Sequence, residues 1–244
     1  MTLAVIGGTS ITQLKNFRVK KKHHISTDWG DPAEEVTEAD FNNATIFFIN
    51  RHGTRNPKPP HKINYRANLS ALKTLGATKI IGTAAVGGIT VDAGKLVIPH
   101  QIIDYTYGRK TTYFEDSDSD LIHIDFTNPF DESFRRKIIE IATKSNIPIE
   151  RNGVYGVTQG PRLETASEIK KLERDGCDIV GMTAMPEACL ARELQIPYLT
   201  LAVVVNAAAG KTSEIITIAK IQENVTYASP KIDSLIKSFL TNYR

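Results

Sequence analysis

The chain is poor in several features that would assign it to a protein class. Its 244 residues include two cysteines and one tryptophan, and the formal net charge is only +3. Two cysteines, Cys177 and Cys189, cannot build a disulfide framework, and both lie in apolar stretches, so we expect reduced core residues. The small charge gives no indication of binding to nucleic acid or to a membrane.

Long apolar runs are also missing. No run reaches the roughly 20 residues that cross a bilayer. The chain starts with an apolar strand, Leu3–Ile6, without a basic region or a cleavage site, so we expect no signal peptide and a cytoplasmic location. The most basic segment, Lys20–His24, has no interleaved aromatic residue and is interpreted as a solvated loop or strand end.

What is present is an ordinary globular composition, 41% hydrophobic and 23% charged, in which short apolar runs alternate with helical patterns. This alternation predicts one α/β domain over residues 1–244. The predicted strands are Leu3–Ile6, Thr45–Asn50, Lys79–Thr83, Lys95–Ile103, Val154–Thr158, Asp178–Met182 and Tyr198–Val205. The predicted helices are Tyr65–Leu75, Glu132–Ser145, Leu163–Arg174, Pro186–Gln195, Thr217–Tyr227 and Pro230–Leu240.

Turn and cap residues set several of these boundaries. Pro186 and Pro230 suit the first position of a helix, with Ser229 as the N-cap of the second, and Gly76 and Gly176 suit C-terminal caps. Tyr105–Asp120 has no periodicity and is predicted to be a long loop, a feature that is often functional. Its alternating Asp and Ser residues, 116–120, lack the glycine and distal glutamate of a calcium loop.

Two clusters after predicted strands suit an anion. In Gly7-Gly8-Thr9-Ser10 the glycines let backbone N–H groups approach an anion, although a plain tight turn would also explain them. The spacing fits neither a dinucleotide-binding motif nor a P-loop. In Asn50-Arg51-His52-Gly53 the arginine offers a planar fork for phosphate and the histidine an adjustable charge. The alternative is a surface turn with incidental charges.

Four further clusters each have a structural alternative. Ala84–Gly88 permits close backbone approach to a ligand or makes a strand-to-strand turn. Gly181–Glu187 puts Met182 and Thr183 before a helix start, which favours an anion; alternatively these residues are core and cap. Gly160–Thr165 contains Glu164, and Val205–Lys211 contains Asn206, whose carboxamide could bind a flat heterocycle. Because five clusters follow strand ends, where ligands of open α/β sheets bind, we expect one site.

Together these segments resemble the trimeric purine nucleoside phosphorylases, a family that includes methylthioadenosine phosphorylase, and within it the bacterial S-methyl-5′-thioinosine phosphorylases. The resemblance covers Ile6 to about Lys211 and is carried by IGGTSITQL, NRHGT, PPHKINYRANLSALKTLGA, AVGGI, PHQIIDYT, HIDFTNPFDE, TQGPRLET, LERDGCDIVGMTAMPEACLARELQIPY and VVNAAAGK. It implies an α/β fold with a mixed, twisted central sheet flanked by helices, and a homotrimer with sites near subunit contacts.

The resemblance also implies roles for individual residues. Phosphate would be held by Thr9, Arg51, His52 and Thr183, with a backbone N–H at Ala85. Ala84 stands where the family often has Thr or Asn, so one side-chain donor is missing. Met182 would lie against the ribose, and Leu163 replaces a base-stacking phenylalanine.

The base is predicted from Asn206, Ala208 and Glu164. Adenine-specific relatives have aspartates where Asn206 and Ala208 stand. A carboxamide can donate to a 6-oxo group and accept from N7–H, and Glu164 matches a family glutamate that accepts from N1–H. Both positions favour a 6-oxopurine, hypoxanthine or guanine.

The 5′ side of the sugar depends on two residues. His123 matches a family histidine that reaches the 5′ end from the neighbouring subunit, and Ile218 could line an apolar pocket for a 5′-methylthio group. We therefore expect phosphorolysis of methylthioinosine, without metal or cofactor, with phosphate as co-substrate. The alternatives are an inosine or guanosine phosphorylase, a methylthioadenosine phosphorylase, a nucleosidase that uses water, and a purine-binding sensor without catalysis.

Overall fold

A computed structural model describes residues 1–8, 17–115, 122–213 and 217–242. In this part of the chain ten strands and five helices form a single α/β domain. The strands are β1 (Leu3–Gly7), β2 (Arg18–His23), β3 (Val36–Phe41), β4 (Ala44–Asn50), β5 (Lys79–Gly88), β6 (Leu96–Val97), β7 (Gln101–Asp104), β8 (Val154–Val157), β9 (Ile179–Gly181) and β10 (Tyr198–Ala207). The helices are α1 (Tyr65–Thr74), α2 (Glu132–Lys144), α3 (Ala166–Arg174), α4 (Ala184–Glu193) and α5 (Ile218–Asn242).

The strands form one mixed sheet in the order β2-β3-β4-β1-β5-β9-β8-β7, with β10 paired to β5 and to β6. Strands β4, β1, β5 and β10 are parallel, so their carboxyl ends meet at one edge. β1 pairs with β5 only as far as Gly82, and antiparallel β9 takes over at Gly87 and Gly88. Along this edge of β5, residues 83–86 pair with neither β1 nor β9, which leaves a gap in the sheet between the ends of these two strands.

Two apolar layers cover the sheet. Buried residues of α1 and α4 pack on one face, and buried residues of α2 and α5 pack on the other. The central strands between them are almost wholly buried: all five residues of β1 and eight of the ten in β10 are buried. Burial on both faces explains why these strands are continuous apolar runs in the sequence.

The structure confirms the α/β prediction and corrects several strands. Lys79–Thr83 continues to Gly88, so Ala84–Gly88 is not a turn but the second half of β5. The predicted strand Lys95–Ile103 is two strands, interrupted at Pro99, which has no N–H for a ladder. The sequence analysis missed β2 and β3, an edge hairpin in which β2 is exposed and lacks the alternation of a half-buried strand.

Two helices also differ from their predicted bounds, and a third has an irregular start. Helix α3 starts at Ala166 rather than Leu163, because Thr165 and Glu168 form a capping box. Helix α4 is assigned from Ala184, but Met185 has extended backbone angles (φ −110°, ψ 133°), so the regular helix begins at Pro186, as predicted. The predicted helices on either side of Pro230 are the single helix α5, and the Ser229 hydroxyl, predicted as an N-cap, donates to the Val225 carbonyl inside that helix (2.7 Å).

The predicted glycine caps and buried cysteines are confirmed. Gly76 and Gly176 have positive φ angles directly after α1 and α3, as C-terminal caps do. Cys177 and Cys189 are free and buried. Residues 105–115 contain no helix or strand, while residues 116–120 of the predicted loop lie outside the described residues. No described helix is both long and apolar enough to cross a membrane.

Candidate active site

A cavity opens at the edge of the sheet where β1 ends, between the carboxyl ends of the parallel strands and the β9–α4 turn. The predicted site residues that line it are Arg51, His52, Ala84, Ala85, Leu163, Glu164, Met182, Thr183, Asn206 and Ala208. Its other walls are largely apolar and include Pro60, Val180, Val205 and Ile221. A cavity with apolar walls and a few convergent polar groups is typical of a small-molecule site.

Three predicted site residues are not among those lining residues. Thr9 lies outside the described residues, as does the side chain of Ile218. Ile221, in the first turn of α5, lines the cavity instead. His123 is exposed and does not line the cavity of its own chain.

Arg51 is the most tightly held polar side chain of the site. It follows β4, and its guanidinium is fully buried. Nη2 donates to Glu187 Oε2 (2.9 Å), Nε donates to Glu187 Oε1, and Nη1 donates to the Thr83 carbonyl (2.8 Å). A Cβ at Gly8 would stand 2.6 Å from Nη1, so only glycine lets the end of β1 pass this close to the guanidinium. Two of the five N–H groups of Arg51 are thus left for a ligand.

The ion pair explains how a cation is kept at the base of the cavity. Burial by itself would lower the pKa of Arg51, but the Glu187 carboxylate outweighs it and raises the pKa above the ordinary value. Glu187 also accepts from the Tyr198 hydroxyl (2.9 Å), and burial raises the pKa of Tyr198 well above its ordinary value. Arg51 is therefore charged at every pH at which the protein is folded.

His52 has one ring nitrogen committed to the backbone. Its Nδ1 lies 2.8 Å from the Lys58 carbonyl, which can only accept, so Nδ1 carries a proton and donates. Nε2 is left for a ligand in the cavity. Burial lowers the pKa of His52 below its ordinary value, and the nearby Arg51 lowers it further. The free site thus favours neutral His52, whose Nε2 becomes a donor only on protonation.

Thr183 occupies the N-cap position of α4, but its hydroxyl makes no capping hydrogen bond. Antiparallel β9 carries this residue back along β5 towards Ala84, so the start of α4 points into the cavity. The hydroxyl suits an anion as a donor, but this helix start lacks a regular first turn of N–H groups, because Met185 is not helical and Pro186 has no N–H. Of the two interpretations of this cluster, the geometry favours a ligand site over a simple cap.

The Glu164 side chain does not take part in capping α3, the helix that follows it. The N-cap of α3 is Thr165, and the capping carboxylate is Glu168, so Glu164 has no role in starting the helix. Instead, its Oε1 accepts from the Thr158 hydroxyl (2.6 Å). The second carboxylate oxygen is available to accept from a ligand. Leu163, beside it, is 49% exposed and forms an open side of the cavity.

The orientation of Asn206 follows from a β-bulge in β10. The register between β10 and β5 shifts between Val204 and Asn206, so that Asn206 pairs with Gly87. Such a bulge re-aims side chains at the end of a strand. The Asn206 Nδ2 donates to the Ala207 carbonyl (2.7 Å), which leaves Oδ1 as an acceptor and one N–H as a donor.

The sequence analysis missed the residues that hold the side chains and walls of the cavity in place. Glu187 was seen only as part of the Gly181–Glu187 cluster, Thr158 as the last residue of a strand, and Arg109 not at all. A charged residue in an apolar helix start and a lone arginine in an aperiodic loop are weak signals. Glu187 bonds to Arg51, 136 residues away in the chain, and the carbonyls that accept from Arg109 are about 50 to 76 residues away. No local sequence pattern reveals contacts over such separations.

Comparison with known proteins agrees with this geometry. Residues 2–241 match the phosphorylase superfamily. The chain is 43% identical over 240 residues to a probable S-methyl-5′-thioinosine phosphorylase of Pseudomonas syringae pv. tomato, which covers 98% of each chain. It is 37% identical to the 6-oxopurine nucleoside phosphorylase of Pyrococcus furiosus, covering 96% of this chain and 90% of the relative.

A solved structure of methylthioadenosine phosphorylase from Schistosoma mansoni, in complex with adenine, superposes with a TM-score of 0.94 at 26% identity. It covers 98% of this chain and 91% of the other. Sequence, fold and cavity thus agree along nearly the whole chain, which belongs to the phosphorylase superfamily.

Proposed function

We propose that this protein is a pentosyltransferase of purine salvage that uses phosphate to cleave S-methyl-5′-thioinosine into hypoxanthine and 5-methylthioribose 1-phosphate. The observation that supports this most directly is that one cavity holds two complementary sets of groups. Arg51, His52 and Thr183 suit a phosphate, while Glu164 and Asn206 suit a 6-oxopurine. The relatives named above carry out, by name, the same class of reaction.

In the proposed reaction a phosphate oxygen attacks C1′ of the ribose while the bond from C1′ to the purine nitrogen breaks. The ribose passes through a cation-like transition state, which the phosphate dianion stabilises. Arg51 and Thr183 hold the phosphate, together with Thr9 and the backbone N–H of Ala85. Neutral His52 accepts through Nε2 from the O–H of hydrogen phosphate. Positioning and electrostatic stabilisation supply the rate, without a covalent intermediate.

The departing base is stabilised by hydrogen bonds that strengthen as negative charge develops on it. Asn206 donates to the 6-oxo group and accepts from N7–H as N7 gains a proton, which balances the proton that hydrogen phosphate gives up, through solvent, on becoming the ester. The free oxygen of Glu164 accepts from N1–H. With adenine, whose N1 is an acceptor, the free oxygen of this half-buried carboxylate would face another acceptor, which is unfavourable. A 6-oxopurine is therefore the preferred base.

The remaining features of the proposal concern the 5′ group and the assembly. An apolar pocket for the 5′ group is supported by Ile221, which lines the cavity. Ile221 lies on α5, the helix that also carries the predicted pocket residue Ile218. We propose a homotrimer in which exposed His123 enters the site of the neighbouring subunit. Phosphate is the co-substrate and no cofactor takes part. The cytoplasmic location stays a prediction.

The proposal is tested by measuring base release from methylthioinosine, inosine and methylthioadenosine, each with and without phosphate. We expect methylthioinosine to be cleaved fastest, and only with phosphate. Faster cleavage of inosine would contradict the apolar 5′ pocket but not the base assignment. Faster cleavage of methylthioadenosine would contradict the roles of Asn206 and Glu164, and cleavage without phosphate would contradict those of Arg51 and His52.

Binding of hypoxanthine without any turnover would instead favour a sensor. Light scattering on the purified protein tests the homotrimer independently of activity.

A further inference from the structure

Arg109 lies in the long loop after β7, outside the cavity, and its guanidinium is bonded to an unusual extent. All five of its N–H groups have an oxygen acceptor. Nε donates to Gln159 Oε1 (3.1 Å), Nη1 to the carbonyls of Met182 (2.8 Å) and Met185 (2.6 Å), and Nη2 to those of Thr158 (3.2 Å) and Gln159 (2.8 Å). The guanidinium also lies over the Tyr65 ring, 5.8 Å from its centroid.

These acceptors belong to two different walls of the cavity. The first wall, residues 158–164, follows β8 and carries Glu164. The second wall, residues 182–185, follows β9 and carries Met182 and Thr183. The last paired residues of β8 and β9 are Val157 and Gly181, and the last backbone hydrogen bond between the two segments runs from the Thr158 N–H to the Gly181 carbonyl (2.8 Å).

Arg109 takes the place of the missing ladder. Beyond this hydrogen bond the two segments have no strand pairing, and the carbonyls of Thr158, Gln159 and Met182 accept from Arg109 instead. The planar fork of an arginine can reach acceptors on both sides at fixed angles, whereas a lysine offers three donors from a single point. The side chain thereby couples the position of one wall to that of the other.

We infer that Arg109 is a positioning residue that sets the distance between the base-binding wall and the ribose- and phosphate-binding wall. This inference rests on the proposed function, because the distance matters only if both halves of one substrate must be aligned. Neither wall needs Arg109 to bind its own part of the substrate. Loss of Arg109 should therefore impair catalysis much more than the binding of either half alone.

The test compares Arg109→Met and Arg109→Lys with the wild type. Since a misplacement of about 1 Å can cost about 100-fold in rate, we expect kcat for methylthioinosine to fall by about 100-fold in Arg109→Met, and by less in Arg109→Lys. Hypoxanthine alone and phosphate alone, titrated calorimetrically, should each bind within about threefold of the wild type. An unchanged kcat, or a loss of hypoxanthine affinity equal to the loss of kcat, would overturn the inference.

A matched control separates positioning from general loss of stability. Arg135 is buried and likewise donates to backbone carbonyls, those of Ile98, Pro99 and Arg151, but it does not line the cavity. Arg135→Met should lower the melting temperature with little change in kcat. If both variants lose activity in proportion to stability, Arg109 is only structural.

Hydrogen exchange gives a readout that does not depend on activity. Backbone amides of residues 158–165 and 182–186 should exchange faster in Arg109→Met, and not in Arg135→Met. If the wild type cleaves no nucleoside, the proposed function is wrong, but the exchange experiment still tests Arg109. Faster exchange in both segments of Arg109→Met supports the coupling of the walls, and unchanged exchange refutes it.

Discussion

Replacing Glu187 by glutamine should destabilise the protein strongly, although the change is nearly isosteric. The carboxylate accepts three hydrogen bonds, two from Arg51 and one from Tyr198. A carboxamide has one oxygen, so its NH₂ group must face at least one N–H of Arg51. The charge of Arg51 would also lose its partner at a position where the side chains are 2% and 0% exposed.

The size of the effect follows from this burial. Breaking a buried ion pair by removing one partner costs about 3–5 kcal/mol, because the other charge stays buried. For a chain of this size each kcal/mol lowers the melting temperature by about 2–4 °C, which gives a loss of about 6–20 °C. Phosphate should restore part of it, because an anion bound beside Arg51 replaces the lost charge; at 100 times its Kd it adds about 2.7 kcal/mol.

The free energy of unfolding is measured by urea titration at one fixed protein concentration, with and without phosphate. Glu140→Gln is the matched control, since Glu140 pairs with Lys137 and Lys144 on the exposed side of α2. We expect that control to change stability by less than about 1 kcal/mol. The argument is refuted if Glu187→Gln is no more destabilising than Glu140→Gln, or if phosphate stabilises the variant less than the wild type.

Three further predictions concern the site. Asn206→Asp removes the donor to the 6-oxo group and should lower kcat/KM for inosine by about 10- to 100-fold. The ratio of kcat/KM for adenosine to that for inosine should therefore rise in substrate competition, and an unchanged ratio would refute the role of Asn206. Leu163→Phe should tighten hypoxanthine binding about 2- to 12-fold by stacking, as measured by calorimetry, and weaker binding would contradict an open base-side wall.

The third follows from His52, whose lowered pKa means that the folded state favours neutral imidazole. As pH falls through about 6.5, the unfolded chain binds the proton first, so folding stability falls; His52→Gln should lose less stability over that window in parallel unfolding titrations.

Much of the architecture could be read from local patterns. β1, β4 and β10 are apolar runs bounded by polar clusters, and α1 ends at Gly76, which supplies the left-handed cap. These features depend on neighbours a few residues away, so sequence alone predicts them. The same holds for the clusters after β4 and β10, because these parallel strands bring their carboxyl ends to one edge. The clusters after β8 and β9 meet them only because β9 runs antiparallel to β5, which the sequence did not indicate.

Elements whose form depends on distant packing could not be predicted in this way. Pro230 indicates a helix start, but α5 continues through it because Ala228, Ile232 and Phe239 are buried against the sheet. The burial of this face outweighs the lost hydrogen bond. Likewise, the edge hairpin of β2 and β3 has no apolar run to mark it and is defined by the pairing of β3 with β4.

The chemical groups of the site are evident from the amino-acid sequence: a guanidinium and an imidazole after β4, a glutamate before α3 and a carboxamide at the end of β10. How these groups are held depends on tertiary contacts. Glu187 makes Arg51 a permanent buried cation, Thr158 occupies one oxygen of Glu164, and Arg109 ties two walls together. These contacts join residues far apart in the chain, and their energies depend on burial and angle, which exist only once the sheet has formed.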